Sequence, residues 1–328
     1  MEDGSSERVL NLLFSKWSSI VIIILVALVP FFHLPLYFLS FLILVYFLGI
    51  GTQSWNLMGG YTGYQSLGQA VFLGIGAYVM AGANRNFGIN PFLMIIPAGA
   101  VSFVFAIGLG WVCLRLKGLF FAIATTLVAV IASNIVAILP VSFIGGGEGI
   151  YIPLTPWKPY LNETIFYEVM FACFVITNIV VYKIVRTKFG LGLSSIKGDE
   201  LGAESMGVPT TRLKIIAFAS SAFFYGMAGA VFGYWQFYVF NLTVFHPLYS
   251  LTPMLGSYIG GVGTIIGPIL GNLILVTLTE TLRFTFAKFT TLWFVVYGIV
   301  LVAVITFMPQ GLIGFIKSRF ERVGKRLV

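Results

Sequence analysis

Apolar runs long enough to cross a membrane recur from one end of this chain to the other. Residues 92–114, for example, hold no charged side chain, and about 17 to 25 such residues span roughly 30 Å of hydrocarbon as a helix. Backbone polar groups inside lipid must be satisfied within their own segment, so each run is read as a helix. The pattern predicts spans over 18–31, 36–56, 66–82, 92–114, 118–139, 166–186, 213–239, 250–262, 265–283 and 291–308. The segment 250–262 is too short to span alone and abuts the next run, so the expected number lies between eight and ten. With 59% hydrophobic and 9% charged residues among 328, the chain has more apolar side chain than one water-soluble core would bury.

The expected fold is therefore an all-α polytopic membrane bundle over 18–308, preceded by a segment 1–17 and followed by a basic tail 309–328. The run Ile20 to Phe32 is not followed by a small-residue cleavage site and is taken as a span, not as a signal peptide. Cys113 and Cys173 lie inside apolar runs without metal or redox spacing and read as packing residues.

Charge sets the expected orientation. With both termini on the cytoplasmic side, 15 of the 19 Lys and Arg fall in cytoplasmic segments, leaving Arg85, Lys158, Arg283 and Lys288 outside. The net charge of +8 then reflects orientation in a cell membrane. No basic face interleaved with base-stacking aromatics is present, which argues against nucleic acid as a partner.

Two stretches break the smooth apolar pattern. "GGYTGYQSLGQAVFLGIGAY", Gly59 to Tyr78, carries Gly63, Gln65, Ser66, Gly68 and Gln69. "LGSYIGGVGTIIGPILGN", Leu255 to Asn272, carries Gly260, Gly261, Gly263, Gly267 and Pro268. Irregular backbone at membrane depth survives only where it is buried in protein or lines a wet cavity, and paired breaks point to a translocation path. Close helix packing through small residues is the competing reading, and both stay open. The four-residue spacing of Gln65 and Gln69 predicts one shared helical face. Thr125 and Thr126 are expected to bond their own helix backbone.

The loop "FIGGGEGIYIPL" needs positive φ somewhere among its glycines and carries Glu148, one of few carboxylates expected outside. Gly146, Gly147 and Glu148 read either as a plain turn or as a contact for a partner or gate. Glu280 and Arg283 are spaced for an interfacial ion pair. His33 and His246 stand alone and are given no metal. No GxSxG, HExxH, His–carboxylate cluster or Walker A sequence occurs, so neither catalysis nor ATP hydrolysis is expected of this chain and no cofactor is assigned to it.

The segment "KGDELGAESMGVPTTRLK", residues 197–214, is a polar island within the long loop 187–212. Asp199, Glu200 and Glu204 fall in the first turns of a short helix, where the helix dipole favours acids, and Gly207 and Pro209 supply its stop. It reads as an exposed helical knob, either a solvated loop or a docking element for a partner's groove.

Taken in order, "GGYTGYQSLGQAVFLGIGAY", "KGLFFAIATTL", "GGGEGI", "FGLGLSSIKGDELGAESMGV", "MLGSYIGGVGTIIGPILG" and "MPQGLIGF" resemble the integral-membrane permease subunit of branched-chain amino acid ABC transporters, over roughly residues 36–316. The resemblance implies an importer of two permease subunits, two ATPases that hydrolyse ATP and an extracytoplasmic substrate-binding protein. It makes the island a coupling loop, with Glu200, Ala203, Glu204 and Gly207 approximating a Glu-Ala-Ala-x-x-x-Gly motif. Gln69 stands where the family commonly has His, and Gly145 where it has Thr. The implied cargo is a branched-chain or other small amino acid; urea, amides, sugars or nucleosides are the alternative. A self-sufficient transporter or channel is the other class, but it usually needs ionisable groups within its spans.

Overall fold

The computed structural model describes residues 23–32 and 34–285, with 298, 302, 306 and 311–314 beyond them. Most of the expected span 291–308, residues 18–22 of the span 18–31, the whole of the segment 1–17 and most of the tail 309–328 lie outside the described residues. Helix α1 (Leu36–Trp55) follows Pro35 and ends in a single π turn over Asn56–Gly60. α2 (Gln69–Phe87) stops at Gly88 in the left-handed conformation. A 3-10 turn, Pro91–Met94, leads into α3 (Ile95–Cys113), and α4 (Leu119–Ile138) and the short α5 (Val141–Ile144) follow.

α6 (Pro159–Val185) begins seven residues before the predicted span, because Pro159 presets the first helical position after the extended Lys158. That extension brings Glu163 into the helix, where Glu168 already lay within the predicted span. Glu163 is held there by Ser40 Oγ at 3.1 Å and Trp235 Nε1 at 3.2 Å. Next come α7 (Lys188–Gly198), α8 (Glu200–Ser205), α9 (Thr210–Trp235), α10 (Asn241–Val244), α11 (Leu248–Gly260) and α12 (Ile266–Thr285). The short helix expected from sequence is α8, with Asp199 as its cap, and the stretch before it, read as loop, forms the further helix α7.

Among the described residues five helices are long and apolar enough to cross a membrane: Leu36–Gly60, Pro91–Cys113, Leu119–Ile138, Pro159–Val185 and Thr210–Trp235. They differ in enclosure. The α9 span is 78% buried within the chain and the α1 span 61%, whereas the α3 and α4 spans are 22% and 28% buried and turn apolar side chains outward. α9 packs along α2 and α3, and α1 packs on α6, α9, α11 and α12. Small residues allow a close crossing: a Cβ on Gly76 of α2 would lie 2.0 Å from the Gly226 carbonyl of α9. Stacked rings fill the centre, with Phe47 and Phe232 4.3 Å apart.

At one end of the bundle two short strands, β1 (Ile150–Tyr151) and β2 (Tyr238–Val239), pair antiparallel, Ile150 opposite Val239. α7 and α8 form a knob at the other end. Cys113 and Cys173 are buried and unpaired. Arg283 and Glu280 form the expected ion pair at 3.2 Å.

Candidate functional site: two helix breaks joined to a knob

The first break follows from residue types that weaken a helix. Asn56, Gly59 and Gly60 close α1 as a π turn, and residues 63–68 then run without regular structure. Their polar groups still find partners. Trp55 Nε1 donates to the Ser66 carbonyl at 2.7 Å, folding the segment back on α1. Leu67 N–H donates to Thr125 Oγ1 at 3.1 Å, and Ala70 N–H to Ser250 Oγ at 2.9 Å. Thr125 does bond its own helix, through Phe121 O at 3.0 Å, but it also anchors this segment. Gly68 sits where a Cβ would come within 2.4 Å of the Thr125 carbonyl.

Gln65 and Gln69 do not share a helical face, because the break lies between them. Gln69 opens α2 fully buried, and the Ser221 hydroxyl of α9 serves both ends of its amide at 3.0 and 3.3 Å. Gln65 is exposed and donates to Tyr258 Oη of α11 at 2.5 Å. Ser66 is buried and accepts from Gly68 N–H, while Gly63 is exposed.

The second break lies between α11 and α12. Gly261 and Gly263 take φ of 127° and 81°, and Thr264 Oγ1 bridges the Gly261 carbonyl and Gly267 N–H at 2.8 and 3.1 Å. Gly260 and Gly267 are points of backbone contact: a Cβ on Gly260 would lie 1.7 Å from the Gly267 carbonyl. At these glycines α11 and α12 are packed backbone against backbone.

The two breaks meet. Asn56 Nδ2 donates to the Thr264 carbonyl at 2.8 Å, and its Oδ1 accepts from Gly263 N–H at 2.8 Å. Sequence reasoning missed Asn56; its signal was an amide three residues before the glycine pair Gly59–Gly60.

The knob attaches to the same place. Lys197, near the end of α7, donates to the Gly60 carbonyl at 2.8 Å. Asp199 caps α8, its Oδ1 accepting from Leu201 N–H at 3.1 Å. Glu200 turns inward: Lys214 Nζ of α9 lies 2.6 Å from its Oε1, and Tyr64 Oη donates to Oε2 at 2.6 Å. Lys214 also stands over the Tyr64 ring, 4.4 Å from its centre. Burial opposes ionisation of the Glu200 carboxyl, but the bonds from Lys214 and Tyr64 outweigh it and hold its pKa below the usual value. Ala203 is buried beneath α8, Glu204 is exposed, and Gly207 ends the helix with φ 82°. Leu191, Leu201 and Met206 project outward at 70%, 66% and 85% exposure.

At the opposite end Gly145, Gly146 and Gly149 take positive φ, while Gly147 and Glu148 are exposed. The loop is pinned to β2 by Tyr238 Oη, which donates to the Glu148 carbonyl at 2.8 Å. Among the described residues no cluster of His, Cys, Asp or Glu could hold a metal ion.

Helices that cross the membrane, breaks that meet at one end and a polar knob fixed to them define an integral-membrane protein of the permease class. The chain belongs to the family described as branched-chain amino acid transport system / permease component, whose model matches residues 37–305. It is similar to the high-affinity branched-chain amino acid transport system permease protein LivM of Salmonella typhimurium strain LT2, 28% identical over 302 residues, covering 84% of this chain and 68% of the relative. The LivM protein of Escherichia coli K12 is 27% identical with the same coverage. No solved structure matches the chain.

Proposed function

We propose that this chain is the translocating subunit of an ATP-driven importer for branched-chain or other small amino acids. ATP is hydrolysed by separate ATPase subunits, a second permease subunit completes the pathway, and an extracytoplasmic binding protein delivers the substrate. The chain sits in the cytoplasmic membrane with both termini and the knob inside. The loop Gly146–Glu148 then faces the binding protein, and the outward faces of α3 and α4 meet lipid or the second permease.

One observation carries this reading: the knob is bonded directly to the helix breaks. Exposed Leu201 and Met206 offer apolar anchors to a partner's groove, and Asp199, Glu200, Ala203, Glu204 and Gly207 shape the helix that presents them. A displacement of the knob passes from α7 through Lys197 to Gly60, and from α8 through Glu200 to Tyr64 and Lys214. Asn56 carries it on to Gly263 and Thr264. α1, α2, α11 and α12 therefore respond together, which a switch between outward-facing and inward-facing states requires. Gly63, Gln65, Ser66, Gly68, Gln69, Gly260, Gly261, Gly263 and Gly267 act in this reading as joints at the inner end of the path.

The test is gentle solubilisation from the native membrane followed by mass spectrometry of what co-purifies. Stoichiometric ATPase subunits are the expected result. Recovery of the chain alone, under conditions that hold a known importer together, would overturn the proposal.

A further inference from the structure

One face of α1 carries Gly49, Thr52, Gln53, Asn56 and Gly60, at the spacing that stacks side chains along one side of a helix. Four of these five meet α11, α12 or the turn between them. A Cβ on Gly49 would lie 3.2 Å from Asn272 Nδ2. Thr52 Oγ1 is 3.5 Å from Asn272 Oδ1, and the Thr52 carbonyl accepts from Ser257 Oγ at 3.0 Å. Asn56 clamps Gly263 and Thr264, and Gly60 abuts Gly263. The result is a polar seam across an apolar bundle.

Gln53 is the exception within it. Its side chain is 0% exposed, and neither Nε2 nor Oε1 has a hydrogen-bond partner; the hydroxyl of its neighbour Ser54 is also buried and unpartnered. The other amides of the seam are engaged: Asn56 at both ends, and Asn272 through Nδ2 to the Val45 carbonyl at 2.8 Å. An unpaired amide in a membrane interior costs free energy that a leucine of similar size would avoid. Such a group signals a second state in which it is paired. The π turn over Asn56–Gly60 places a joint within one turn of it, where α1 can part from α11 and α12.

We infer that Gln53 is a substrate-contacting, specificity-determining residue of the translocation path, exposed when the seam opens. This rests on the importer reading above. A free amino acid carries an ammonium and a carboxylate with no net charge. A primary amide answers both, its oxygen accepting from the ammonium and its NH2 donating to the carboxylate. Being neutral, it offers no fixed charge to hold the cargo in place, and a path must release what it binds.

The experiment uses the complete complex in proteoliposomes with radiolabelled leucine, reading binding-protein-dependent uptake, ATP hydrolysis and melting temperature. Gln53→Leu is expected to melt higher than the wild type, keep its ATP hydrolysis and lose about tenfold or more in uptake. Gln53→Asn, which keeps donor and acceptor, is expected to retain most of the uptake. Undiminished uptake by Gln53→Leu would overturn the inference. So would a lower melting temperature in both variants with matching losses of uptake, because that pattern marks a packing residue. A wild-type complex whose ATP hydrolysis ignores the binding protein would instead overturn the importer reading itself, and this inference with it.

Discussion

Lys214 and Glu200 form an ion pair at 2.6 Å whose side chains are only 4% and 18% exposed, binding the first residue of the knob helix to the second turn of α9. The pair is shielded from water, and Tyr64 occupies the second carboxylate oxygen. Three separate segments, the first helix break, the knob and the most enclosed membrane helix, therefore converge on one carboxylate.

Breaking that pair from one side should cost more than removing it altogether. Lys214→Met leaves the half-buried Glu200 with Tyr64 and the more distant charge of Lys117, at a cost below the roughly 3 to 5 kcal/mol of a fully buried unpaired charge. The variant should insert in the membrane, melt earlier and hydrolyse ATP without matching uptake. The double variant Lys214→Met, Glu200→Gln should recover most of the stability. Equal melting temperatures for the wild type and the single variant would show that the pair holds nothing.

The same carboxylate gives a pH dependence of definite sign. Its folded-state pKa lies below the ordinary 4.5, so its contribution is full above the unfolded value and is lost as pH falls through the lower folded value. Protection of the amides of residues 199–207, measured as hydrogen exchange relative to the intrinsic rate at each pH, should be high at neutral pH and fall below about pH 4.5, where the unfolded carboxyl binds its proton. In Glu200→Gln the acid-induced change should vanish. Persistence of the same transition in that variant would assign it to another group.

The exposed apolar side chains of the knob make a separate prediction. Leu201 and Met206 reach outward from α8, beyond the buried Ala203, and a charge there alters no contact inside the chain. Leu201→Glu and Met206→Asp should leave folding and membrane insertion unchanged, yet lower recovery of the ATPase subunits about tenfold or more by desolvating a charge in the groove. Full co-purification with both variants would place the docking surface elsewhere.

What the sequence revealed and what it concealed divide along chain distance. Helix runs and glycine-rich breaks are local signals, so α3, α4, α9 and both breaks fall close to their predicted places. The start of α6 moved because Pro159 nucleates a helix through the polar residues that follow it. The knob helix formed where it was expected, with Asp199 as its cap through the side chain and not within its first turn, while α7 was missed because its residues lie within a loop read as polar. The contact between Asn56 and Thr264 spans 208 residues, and no local pattern encodes such a distance. Gln53 escaped notice for a related reason: it draws attention only once its surroundings are known to offer it no partner.

Asn56 supplies the last prediction, because it joins the two breaks through both ends of one amide. Asn56→Ala leaves Gly263 N–H and the Thr264 carbonyl without their partner, at about 1–3 kcal/mol for each group that stays buried. That cost falls on the turn between α11 and α12, while Lys197 and Gly60 stay bonded and the knob keeps its attachment to α1. The variant should therefore bind ATPase subunits normally and hydrolyse ATP, but move little substrate, and hydrogen exchange should quicken over residues 261–267 and not over 199–207. Asn56→Asp keeps the acceptor for Gly263 N–H and loses the donor to Thr264, so its exchange should fall between the two. Unchanged exchange over 261–267 in Asn56→Ala, together with full uptake, would show that α11 and α12 follow α1 by packing alone.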